Sequence, residues 1–204
     1  MPQLFLNHKI IISILRQILS KRSQLLLREP RWRTANTLAR TCIPFPVASW
    51  IYENGSLTAR LRRLYGDNFK LRVVNQSWLH PYQDEASLLG MPSYRHALIR
   101  EVLLCNGGLP MVMARSVMPF DVLQGGGKRL TRLGTRPLGE ILFSYRGLRR
   151  DCLDYARIDA IDWRQEAARF AGREAAWGRR SLYRVAGGHM LVCEFFLSKL
   201  LFSL

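Results

Sequence analysis

Apolar and polar positions change their period along this chain, and the changes mark its elements. Phe69, Leu71 and Val73 alternate with Lys70, Arg72 and Val74, the two-residue period of a half-buried strand that runs to about Trp78. Just before it, Leu57, Leu61 and Leu64 fall at helical spacing, with Ser56 as the N-cap and Gly66 as the stop. A polar, proline-bearing loop follows over residues 80–92. Two hairpins are expected: residues 93–105 and 111–119 around Asn106-Gly107-Gly108, and residues 181–185 and 189–197 around Ala186-Gly187-Gly188. Between them, residues 121–144 are helical in texture but broken by Gly125, Gly126 and Gly127, closed once by Gly134 and restarted at Pro137. Several strands and hairpins with helices inserted predict an α+β fold, a single domain with a mainly antiparallel β-sheet.

At 204 residues with 48% hydrophobic content, the chain suits one globular domain with a sizeable core. The texture changes at Pro44 and Pro46, which divides the sequence into a basic N-terminal extension, residues 1–43, and a domain over residues 44–204. The first 28 residues carry Lys9, Arg16, Lys21, Arg22 and Arg28, no acidic residue and an apolar run at Ile10 to Ile12. They read as a basic amphipathic helix with a weak membrane-surface contact, a targeting role or none. No run reaches the ~18 uncharged apolar residues of a membrane-spanning helix.

The formal net charge of +16 asks for an anionic partner: a nucleic acid, a membrane surface or a small polyacid. Arg146, Arg149 and Arg150, with Arg179 and Arg180 beyond Trp177, lack any recognition motif, so they read as a solvated face and no nucleic acid is expected. Cys42, Cys105, Cys152 and Cys193 show no C-x-x-C spacing, which disfavours a zinc or redox site. Buried free thiols at Cys105 and Cys193 fit a reducing cytoplasm. The stretch Gly125-Gly126-Gly127-Lys128-Arg129 departs from a phosphate loop at both ends and reads as a flexible loop.

The informative residues are charges in the apolar phase of strands. Arg100 is in phase with Leu98, Val102 and Leu104, whereas Arg95 and Glu101 share the more polar phase. Glu194 is in phase with Met190, Val192 and Phe196, and its opposite phase is also apolar. Arg115 is in phase with Met111, Met113 and Val117. A buried guanidinium or carboxylate needs a partner. Either Arg100 and Glu194 pair with one another or with backbone, or they line a dry pocket. There an arginine would fork onto a ligand carboxylate and a glutamate would serve proton transfer. Two arginines, Arg100 and Arg115, would suit a dianion.

The order of motifs resembles one family. Gly55-Ser56-Leu57-Thr58 is followed by Arg100-Glu101-Val102-Leu103-Leu104-Cys105, Ala114-Arg115-Ser116-Val117-Met118-Pro119 and Leu133-Gly134-Thr135-Arg136-Pro137-Leu138-Gly139. Trp177-Gly178-Arg179-Arg180-Ser181 and Glu194-Phe195-Phe196-Leu197 complete the series. Together, over residues 44–197, they resemble the chorismate lyase (chorismate pyruvate-lyase) family. The resemblance implies conversion of chorismate to 4-hydroxybenzoate and pyruvate, without metal or cofactor, for ubiquinone biosynthesis by a cytoplasmic monomer. It also implies helical flaps covering a buried ligand pocket. In it, Arg100 would hold the ring carboxylate, Glu194 the hydroxyl end, and Leu57 and Leu138 would touch the ligand largely through backbone groups. Arg115 would stand near the entrance. Leu57 replaces an expected methionine, which preserves bulk. The rival expectation is a non-catalytic module of the same fold that senses hydroxybenzoate-type ligands.

Overall fold

A computed structural model describes residues 23–36 and 42–202. They form one antiparallel sheet of seven strands. In chain order these are β1 (Arg33–Thr34), β2 (Phe69–Leu79), β3 (Ala97–Asn106), β4 (Leu109–Pro119), β5 (Arg149–Ile158), β6 (Ala176–Val185) and β7 (Gly188–Phe196). Across the sheet the order is β1-β5-β6-β7-β4-β3-β2, so the two expected hairpins lie side by side and join where β4 pairs with β7.

The turns set the registers. Ala186 and Gly187 adopt φ of 53° and 82°, the left-handed pair whose twist suits a two-residue hairpin. Counting back from that turn, Val185 faces Gly188 and Arg179 faces Glu194. Strand β3 starts at Ala97 rather than at residue 93, because the preceding residues close a turn in which the Arg95 N–H donates to Pro92 O at 3.0 Å.

Seven short helices lie among the described residues: α1 (Phe45–Ile51), α2 (Leu57–Tyr65), α3 (Gln83–Leu88), α4 (Phe120–Gln124), α5 (Leu138–Leu142), α6 (Gln165–Ala171) and α7 (Ser198–Leu201). On one face of the sheet, called the front, α1 and α2 pack Trp50, Leu57 and Leu61 against Val102, Leu104 and Ala114. Leu123 of α4 and Leu142 of α5 continue that layer over Met190 and Val192. On the back, Leu25, Trp163 and Ala167 cover Leu103, Met113 and Phe195. With both faces covered, every position of β3 from Ala97 to Cys105 is buried, whereas the edge strand β2 alternates between half-buried and exposed. Glu101, which the alternation assigns to a polar face, is therefore fully buried at 0% exposure.

Three expectations change. Residues 80–92 are not simply loop: they contain α3. The Gly-rich run is packed, since a Cβ at Gly127 would stand 2.3 Å from Val122 O, and a tight 3-10 segment, Gly126–Arg132, follows α4. Residues 23–36, assigned to an extension ending at residue 43, belong to the domain. Leu25 and Leu26 are buried, the Leu27 N–H donates to Asp162 O (2.8 Å), and β1 pairs with β5. The rest of the basic stretch, before residue 23, lies outside the described residues.

Candidate active site

A narrow cavity opens between the front of the sheet and the first turns of α2 and α5. Its floor is apolar at Val102, Ala114 and Val192, and its roof is built by Leu57, Leu138 and Leu142. The roof closes because α5 meets α2 at a glycine: a Cβ on Gly139 would stand 2.8 Å from Ser56 Oγ. Ser56 caps α2 by accepting from the Ala59 N–H at 3.3 Å. Leu57 and Leu138 are the first residues of their helices, so their N–H groups have no intrahelical acceptor.

Arg100 enters from β3 and is 2% exposed. Its Nη1 donates to Gln76 Oε1 (2.6 Å) and Gly134 O (3.0 Å), and its Nη2 to Arg136 O (3.2 Å). All three acceptors are neutral. Among the described residues no carboxylate lies within ion-pair distance of it, and burial lowers its guanidinium below the ordinary value. The cation is thus desolvated without a counter-charge, the state an anionic ligand would relieve.

Glu194 lines the same cavity from β7, two strands away. Its partner is not Arg100 but Arg179, directly opposite on β6, whose Nε donates to Glu194 Oε2. Arg179 is held in turn by the carbonyls of Trp50 (3.0 Å) and Glu53 (2.9 Å) beyond the cavity wall. Burial opposes its charge, but Glu194 outweighs burial and raises its pKa. Tyr183 also faces the cavity, where burial and then Glu194 push its phenol upward. With strands ~4.8 Å apart and ~3.4 Å per residue, Arg100 and Glu194 stand roughly 12 Å apart at Cα. Two side chains can close that span onto a substituted six-membered ring.

Of the residues expected at a site, the structure brings Arg100, Glu194, Leu57 and Leu138 together around this cavity. Arg115 is not among them. It points to the back of the sheet, where its Nε and Nη2 reach Glu85 (2.8 and 2.9 Å) and its Nη1 reaches Glu101 (3.0 Å). Burial alone would lower this guanidinium; the two carboxylates raise it instead. Arg179 and Arg180 do not form a solvated face either. Both sit in an interior strand, Arg179 on Glu194 at the front and Arg180 on Asp154 at the back (2.7 Å). The signal for Arg179 was present in the sequence: the two-residue turn at Ala186-Gly187 puts it opposite Glu194. Glu85 carried no such signal, lying in a stretch that reads as polar loop.

Fold and cavity together define a class: a small α+β domain that encloses an unneutralised arginine and a paired glutamate in an apolar pocket. The chorismate lyase family matches the chain over residues 26–204. A probable chorismate pyruvate-lyase of Methylococcus capsulatus is 47% identical over 154 residues, 75% of this chain and 95% of that protein. One from an Azoarcus species is 45% identical over 159 residues, 74% of this chain and 84% of that protein. The chain belongs to the chorismate lyase family. A GntR-family transcriptional regulator from Bacillus cereus, at 11% identity, aligns with a TM-score of 0.50 over 65% of this chain and 94% of that one, a likeness of fold alone.

Proposed function

We propose that the protein is a chorismate pyruvate-lyase, eliminating pyruvate from chorismate to leave 4-hydroxybenzoate for ubiquinone synthesis. The observation that carries this is Arg100, a buried guanidinium whose protein acceptors are all neutral. The ring carboxylate of chorismate supplies the missing anion through two parallel charge-assisted hydrogen bonds. The N–H groups at the starts of α2 and α5, Leu57 and Leu138, lie in the roof over the same space.

In the reaction the C3–O ether bond breaks and the C4 hydrogen leaves, so the ring becomes aromatic. The enolpyruvyl methylene carbon gains a hydrogen and becomes the methyl group of pyruvate. Glu194, already an acceptor for Arg179, is held in place to accept from the C4 hydroxyl. That arrangement suits orientation, with the C4 hydrogen passing directly to the methylene carbon through a six-membered array. The apolar floor and closed roof exclude water from the reacting centre.

The test is direct. Purified protein incubated with chorismate should release 4-hydroxybenzoate and pyruvate in equal amounts, above the uncatalysed rate. Protein that binds 4-hydroxybenzoate yet leaves chorismate unchanged would refute the enzymic reading.

A further inference from the structure

We propose that Gln76, on the edge strand β2, is a positioning residue for the carboxylate anchor: it holds the Arg100 guanidinium in place without neutralising it. The inference rests on the reading of Arg100 as a carboxylate anchor and adds a residue that lies outside the cavity lining.

Gln76 reaches Arg100 only because β2 is irregular. Leu71 faces Leu104 and Val73 faces Val102, both cavity-lining positions on the front. Strict alternation would then send even-numbered residues to the back, as it does Arg72, whose guanidinium lies 5.1 Å from the Phe170 ring of α6. The register shifts between Val73 and Asn75, so that Asn75 faces Glu101 and Gln76 faces Arg100. One extra residue, Val74, moves every later side chain to the opposite face. Trp78 records the change: it is even-numbered too, yet it packs on Phe120 of α4 at the front, ring centres 5.8 Å apart.

The bulge therefore delivers an amide to the anchor. Gln76 Oε1 accepts from Arg100 Nη1 at 2.6 Å, and its Nε2 donates to Thr131 O at 3.2 Å. Thr131 lies in the segment that runs on to Gly134 and Arg136, whose carbonyls take the other Arg100 hydrogen bonds. An amide meets both needs, one acceptor and one donor, with no net charge. A carboxylate there would lose the Thr131 bond and would pair with Arg100, competing with the ligand for its charge.

Gln76→Glu separates positioning from mere support. The probes are 4-hydroxybenzoate and 4-hydroxybenzaldehyde, the same ring with and without the carboxylate, together with chorismate kinetics and the melting temperature. In Gln76→Glu, 4-hydroxybenzoate should weaken by at least about tenfold and the aldehyde by less than about twofold. The chorismate KM should rise more than kcat falls, at an unchanged or higher melting temperature. Gln76→Ala, which adds no charge, should lose less 4-hydroxybenzoate affinity than Gln76→Glu. Equal loss of both ligands, or none of either, would overturn the inference. Wild-type protein that prefers 4-hydroxybenzoate, with Gln76→Glu preferring it equally, removes Gln76 alone. Wild-type protein with no preference for the carboxylate removes the anchor reading with it.

Discussion

Replacing Arg115 with methionine keeps much of the side-chain stem and removes its charge. Arg115 is 0% exposed, and hydrogen bonds from its Nε, Nη1 and Nη2 end on Glu85 and Glu101, themselves 3% and 0% exposed. Glu101 keeps the Gln24 N–H (2.7 Å) and the Ser23 hydroxyl, and Glu85 keeps the Tyr82 N–H (2.9 Å). These donors are neutral, so both carboxylates lose their counter-charge. Breaking a buried pair from one side costs about 3–5 kcal/mol. At about 2–4 °C per kcal/mol for a domain of this size, the melting temperature should fall by ~6–20 °C. Adding Glu85→Gln and Glu101→Gln should recover part of the loss.

Arg100→Met should behave oppositely, because no carboxylate among the described residues pairs with Arg100. Its stability should stay within about 1 kcal/mol of wild type, while 4-hydroxybenzoate affinity falls by about 2–5 kcal/mol, ~30-fold to several thousand-fold. Thermal unfolding followed by circular dichroism and titration calorimetry read the two effects separately. An Arg115→Met protein as stable as wild type but unable to bind ligand would refute the assignment of this arginine to the scaffold.

Further outcomes follow from the same geometry. In single-turnover experiments Glu194→Gln should keep the chemical step within about tenfold; a loss of ~10²–10⁴, the usual contribution of a general acid or base, would make Glu194 the base. Gly139→Ala should push α5 off Ser56, 2.8 Å from the new methyl group, and speed ligand release severalfold in stopped-flow measurements; an unchanged off-rate would show that this contact does not hold the roof. Glu29 is raised from 4.5 to about 7, mainly by burial, with the Asp84 N–H opposing and nearby Glu85 and Asp84 adding. Its folded pKa exceeds the unfolded one, so the native state binds the extra proton and stability falls as pH rises from about 4.5 to about 7. The melting-temperature advantage of Glu29→Gln over wild type should therefore be larger at pH 8 than at pH 5; equal differences would contradict the shift.

Much of the front of the sheet was legible from local pattern. The Ser56 cap, the Gly66 stop and the glycine turns act within a few residues, and they positioned α2 and both hairpins. Arg100 and Glu194 stood out as charges among apolar neighbours, and both line the cavity. The same reasoning failed for Glu101, because an interior strand is buried on both faces and its alternation no longer separates wet from dry, and it put Arg115 inside without telling the back of the sheet from the front. It also passed over the bulge at Val74, where alternating texture continues while the faces exchange.

By itself the sequence determined which strands pair in the two hairpins, through turns and periodicity, and that Arg100, Arg115 and Glu194 would lie inside. Only the tertiary structure decided what each buried charge meets. Glu85 reaches Arg115 from 30 positions away and Ser23 reaches Glu101 from 78, while Arg100 donates to the neutral acceptors of Gln76, Gly134 and Arg136. The physical reason is range: a strand's period reports the side on which a residue lies, but the sign of its partner depends on distant segments folded onto that side. Three of the buried arginines, Arg115, Arg179 and Arg180, thus serve ion pairs, and Arg100 is left with its charge available to a ligand.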